Sequence, residues 1–200
     1  MKSNVCKITN GTTDLVAILK ESEKVAVYNE LTPKQALQLR LICEELDCML
    51  PHVVDQFSGD FWIEFEKKVC KVRASINIYE FSAEKKSEII RISKDGNNAS
   101  SVGIAGKIRN LIENFFLNED NYMNSFASNP VFTQIASERP ECLDYYYTWT
   151  LDEYRTGVKS EGNPVAWDEL EKSVIASVAD DVIVGVKGSV ADIIIVKKFA

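Results

Sequence analysis

The chain has one histidine, no closely spaced cysteine pair of the C-x-x-C kind, no cluster of basic residues and no long apolar run. Each absence excludes something. Cys6, Cys43, Cys48, Cys70 and Cys142 are odd in number and widely spread, so neither a disulfide framework nor a zinc site is indicated. Reduced thiols in a cytoplasmic protein are expected instead. Lysine and arginine number 23 against 30 aspartates and glutamates, a net charge of −7 with the two signs interspersed. Without a basic stripe, nucleic acid is not an expected partner, and the acidic surface favours solubility. Residues 191–196 fall far short of the ~20 apolar residues of a membrane-spanning helix, so no membrane partner is expected. The opening MKSNVCKITNG carries two lysines and no apolar core, which is not the pattern of a secretion signal. With His52 the only histidine, any Cys–His or Ser–His nucleophilic pair must use it.

What is present is a hydrophobic content of 46 % over 200 residues, enough to bury the core of a single domain spanning residues 1–200. The clearest local signal is TPKQALQLRLICEELDCMLPHVVD, residues 32–55. Thr32 suits an N-cap, Pro33 the first helical position, and Gln35 completes a capping box. Leu39, Ile42, Leu46, Met49 and Val53 recur at helical spacing and form one buried stripe. The helix is expected to stop near Pro51. Glu44 and Glu45 are an acidic pair in the middle of this core-forming helix.

Before it, residues 5–9 read as a strand ended by Asn10-Gly11, and Thr12-Thr13-Asp14 can cap a helix running to about residue 26 with Leu15, Ile18 and Leu19 on its apolar side. A short strand over residues 24–28 is an equal alternative. After the helix, residues 56–60 read as a turn at Ser58-Gly59. Residues 61–66 and 69–79 then alternate as two strands of a hairpin, with Lys67-Lys68 between them. Ser82 caps a predicted helix over residues 83–92, and residues 93–106 form a polar, glycine-bearing loop leading to a helix over 107–117 with Ile108, Leu111, Ile112, Phe115 and Phe116 on its apolar face. Residues 118–165 form an insert with little periodicity, apart from a β-prone stretch at 145–151 and a loop-like stretch at 157–164. Residues 166–200 give a C-terminal helix over 167–179, with Leu170, Val174, Ile175 and Val178 as its stripe, and a hairpin turning at Gly188-Ser189 that extends the sheet. The pattern predicts an α/β (α+β) two-layer sandwich: a mixed, mostly antiparallel sheet with helices on one face.

The order strand, helix, long helix with an acidic pair, β-hairpin, glycine-bearing loop and helix resembles the GHKL superfamily, which includes histidine-kinase catalytic domains, gyrase-type ATPases and anti-sigma-factor serine kinases. LRLICEELDCML, residues 39–50, is similar to that family's first box, in which a helix carries an acid and, four residues later, an asparagine. There the acid activates water or a hydroxyl and the asparagine holds magnesium on the phosphates. The resemblance implies Glu45 as the catalytic acid and puts Met49 in the asparagine's place. A thioether does not replace an amide oxygen on a cation that demands oxygen ligands, so no metal ligand is implied. Asp47 points about 160° away from Glu45 at ~100° per residue. The family's adenine-reading box is expected where SINIYEFSAEKK, residues 75–86, stands without a glycine, leaving Asn77 or Glu80 to accept from the adenine amine. The glycine-rich third box is matched by SKDGNNASSVGIAGKIRNL, residues 93–111. There the resemblance implies phosphate contacts from the loop glycines Gly96, Gly103 and Gly106, with Lys94 and Lys107 beside them. The chain also resembles bacterial ATP-binding proteins of the superfamily that share a KQALxLR…EE helix and an SxxGxN…GxxGKI loop.

The resemblance thus implies an ATP-binding regulatory protein, anti-sigma-factor or serine-kinase-like, with weak or absent turnover and a protein regulator as partner. The alternative is a non-catalytic interaction module on the same scaffold that has lost ATP. A third class, a thiol hydrolase, rests on Cys48 and His52 lying four residues apart on one helix face.

Overall fold

The computed structural model describes residues 1–10, 14–78, 103–117, 147–162 and 164–199. The elements are β1 (Cys6–Thr9), α1 (Leu15–Tyr28), α2 (Pro33–Val53), β2 (Phe57–Glu66), β3 (Val69–Ile78), α3 (Gly103–Leu117), β4 (Tyr147–Thr150), α4 (Leu151–Glu161), α5 (Pro164–Lys172), α6 (Val174–Val178), β5 (Asp181–Lys187) and β6 (Val190–Lys198). The helix predicted over 83–92, the loop residues 93–102 and the part of the insert from 118 to 146 lie outside the described residues.

The central helix forms as its caps dictate. Thr32 is extended at φ −62° and ψ 158°, its hydroxyl accepts from the Gln35 N–H, and the Gln35 side chain accepts from the Thr32 N–H at 2.9 Å. The whole predicted stripe is buried, and Cys43 and Leu50 widen it. The helix stops near Pro51, as expected. The proline sits in the last turn, and α2 runs on to Val53, where the Val54 N–H donates to the Leu50 carbonyl at 3.0 Å. Residues 24–28 are helical, so of the two alternatives the strand is excluded. Asp14 caps α1 by accepting from the Ala17 N–H at 3.0 Å.

Among the described residues six strands form one sheet in the order β1-β2-β3-β6-β5-β4, and every pair there is antiparallel rather than mixed. This is an α+β two-layer arrangement. Phe61, Ile63 and Phe65 of β2, Val72, Ala74 and Ile76 of β3, and Ile193 and Ile195 of β6 share the face that meets the helices in the main core. The C-terminal hairpin extends the sheet as expected, with β6 pairing β3. Its turn places Gly188 alone of the Gly188-Ser189 pair at positive φ, 57°, as a type II′ turn requires. Ile183, Ile194 and Val196 form a second, smaller buried cluster of their own. Among the described residues no helix is long and apolar enough to cross a membrane.

Several local expectations change. Ser58 and Gly59 lie inside β2 rather than in a turn, because a glycine there lets β2 and β3 approach closely: a Cβ on Gly59 would lie 2.1 Å from the Ser75 carbonyl oxygen. The described part of the predicted loop over 157–164 is mostly helical, in α4 and the start of α5. Thr150 ends β4 and caps α4 by accepting from the Glu153 N–H at 3.2 Å, Gly162 closes α4 at φ 64°, and Pro164 opens α5. The helix predicted over 167–179 is two helices, broken at Ser173, whose hydroxyl accepts from the Ala176 N–H at 3.2 Å and caps α6. Leu170 and Ile175 of its predicted stripe are buried, whereas Val174 is exposed because it falls in that new first turn.

Candidate functional site

One flank of α2 stays open. Glu45, Cys48, Met49 and His52, at successive helical spacings of three, one and three, line a cavity of about 470 Å³. Its other walls are the first turn of α3, at Gly103, Ile104 and Ala105, and the α5–α6 junction, from Lys172 to Ile175. That volume lies within the ordinary range for small-molecule sites, about 300–1,000 Å³.

Sequence explains why these walls meet. Gly103 opens α3 at φ +76°, a conformation that suits glycine. Ile104, Ile108, Leu111, Ile112 and Phe115 then bury one face of α3. Arg109 clamps α3 to the end of α2. Its Nη1 and Nη2 reach the two Asp55 carboxylate oxygens at 3.1 and 3.4 Å, and its Nε reaches Glu113 at 2.7 Å. Burial alone would lower the guanidinium pKa, but Glu113 and Asp55 outweigh it and hold it above its ordinary value. On the opposite wall, Arg155 of α4 donates to the carbonyls of Ala176 and Asp180, which fixes α6 beside the cavity.

The charged side chains among the described wall residues are Glu45 and Lys172, and His52 of α2 lines the same wall. Glu44 is engaged elsewhere, with Arg40 Nε 3.0 Å from its carboxylate. Asp47 does not line the cavity, and burial raises its carboxyl pKa. The Cys48 thiol is pushed up by burial and then by Asp47, Glu45 and Glu44. A reactive nucleophile needs the opposite shift, which speaks against a Cys48–His52 hydrolase, although both side chains share the cavity.

Of the residues that sequence marks, Glu45 and Gly103 come together here. Gly106 is buried inside α3, because residues 103–106 are that helix's first turn and not part of a loop. Lys107 turns away and places its Nζ 5.7 Å from the Tyr154 ring centre. Asn77 does not line the cavity: strand alternation between buried Ile76 and Ile78 leaves it exposed on the far face of the sheet. Lys94, Gly96 and Glu80 lie outside the described residues. Met49 offers no oxygen ligand to magnesium. Met49 is 6 % exposed and packed in the core, and no group of three or more metal-ligating side chains exists among the described residues.

Sequence reading passed over Lys172 to Ile175, and Cys48 with His52 as wall residues. Ser173 was the available signal, an N-cap residue type in the middle of an apolar helical pattern. No protein-family model, curated protein or solved structure matches this chain.

Proposed function

We propose that this chain is a cytoplasmic nucleotide-binding regulatory protein of the GHKL type, which takes ATP into the cavity between α2 and the start of α3, turns it over weakly or not at all, and acts on a protein partner. The observation that carries this reading is that one cavity is lined both by Glu45 and by the glycine-opened first turn of α3. Unpaired N–H groups at such a turn favour phosphate oxygens. Glu45 is then the carboxylate available to accept a proton from an attacking hydroxyl or water. Phosphoryl transfer draws much of its rate from cation stabilisation of the transferring group. Met49 supplies no ligand for such a cation, and this supports binding with little turnover.

A second reading, an interaction module without nucleotide, is favoured by large apolar side chains left exposed on α5 and at the start of α6, Val165, Trp167 and Val174. Isothermal titration separates the two. The nucleotide reading expects ATP to bind with similar affinity with and without magnesium. No heat at millimolar ATP would put the affinity weaker than about −4 kcal/mol and leave the interaction module.

A further inference from the structure

Given the nucleotide reading, on which the inference rests, the cavity presents an electrostatic problem. A polyanionic triphosphate would sit against Glu45, and among the described residues no group of three or more metal-ligating side chains gathers there to hold a neutralising metal. The one lysine or arginine among the described residues lining that cavity is Lys172, at the end of α5, across from α2. It is poised for exchange. Its Nζ now lies 2.6 Å from Asp168, in a pair whose side chains are 75 % and 58 % exposed. An ion pair that open to solvent contributes little to stability, so giving it up costs little. Ser173 fixes the chain direction immediately after Lys172 by capping α6, which keeps the lysine's backbone at the cavity wall.

We propose that Lys172 is the phosphate-contacting residue of this site, leaving Asp168 for the phosphates, and that the protein binds nucleoside triphosphate as the metal-free anion. The α5 lysine takes over the charge neutralisation that Met49 denies to magnesium. A charge-assisted contact of this kind discriminates phosphorylated from unphosphorylated ligands.

Titration of ATP and of adenosine in excess EDTA tests this, using the full chain and its Lys172→Gln, Lys172→Arg and Asp168→Asn variants. Lys172→Gln is expected to weaken ATP about tenfold or more while leaving adenosine unchanged. Lys172→Arg should retain ATP binding, and Asp168→Asn should tighten it by freeing the lysine. If wild type binds ATP and Lys172→Gln binds it equally well, the assignment of Lys172 is overturned and the nucleotide site stands. If Lys172→Gln loses ATP and adenosine alike, the lysine shapes the wall and does not contact phosphate. If wild type binds ATP only when magnesium is present, the metal-free mode is wrong. If wild type binds nothing in either condition, the nucleotide reading itself fails and the inference goes with it.

Discussion

Replacing Gly59 with alanine is expected to destabilise the fold by about 3 kcal/mol and to lower the melting temperature by roughly 6–12 °C for a chain of this size. Gly59 is paired with Ile8 on one side and Ile76 on the other, so it sits between two strands. An added Cβ would meet the Ser75 carbonyl oxygen at 2.1 Å and the Ile76 Cα at 2.9 Å. Both are backbone atoms of β3, which is held in turn by β6. Nothing flexible is available to move aside, so relief requires β2 and β3 to separate. Gly157 is the control: it lies in α4 with open space around it, and alanine there should be neutral or stabilising by up to about 1 kcal/mol. Equal melting of wild type and Gly59→Ala would contradict the register of β2 on β3.

Leu46→Ala is expected to cost about 3–5 kcal/mol in urea denaturation, whereas Glu45→Ala, one residue away, should change stability by less than about 0.5 kcal/mol. Leu46 is fully buried on the face that α2 turns to the core, and truncation leaves a cavity among well-packed neighbours. Glu45 is half-buried on the open flank of the same helix. The contrast tests whether α2 divides its surface between core and cavity. A large loss from Glu45→Ala would mean that this carboxylate is structural.

How much of this was legible in the sequence depended on how local each cause is. The α2 capping box, the alternation of β2 and β3, and the Gly188-Ser189 turn are set by neighbours in the chain and could be read directly. Gly59 misled because glycine marks turns, and its actual reason, close approach to Ser75, exists only once β3 has paired. Thr150 misled because an aromatic β-prone run hid a Thr-x-x-Glu start signal, so one residue both ends β4 and caps α4. The Gly162 and Pro164 punctuation that separates α4 from α5 is visible in the sequence but by itself reads as a loop. Glu45 and Gly103, which the structure brings to one cavity wall, each belong to a local pattern in the sequence. Asn77 was misplaced although its own strand settles it: if Ile76 and Ile78 face the helices, Asn77 cannot. Ser173 marks the break after Lys172, but only the return of the α5–α6 junction against α2 brings that lysine to the cavity.

Cys48 offers the most direct test that ATP occupies this cavity, because it is an exposed thiol on the wall itself. Cys43 and Cys70 are buried, and Cys6 sits on β1, away from the cavity-lining residues. The measurement is the rate of iodoacetamide labelling at each cysteine, followed by peptide mass analysis, with and without saturating ATP in EDTA. Nucleotide in the cavity predicts labelling of Cys48 slowed several-fold while Cys6 is unchanged. An unchanged Cys48 rate at an ATP concentration that saturates the calorimetric signal would place the nucleotide elsewhere and contradict the proposed site.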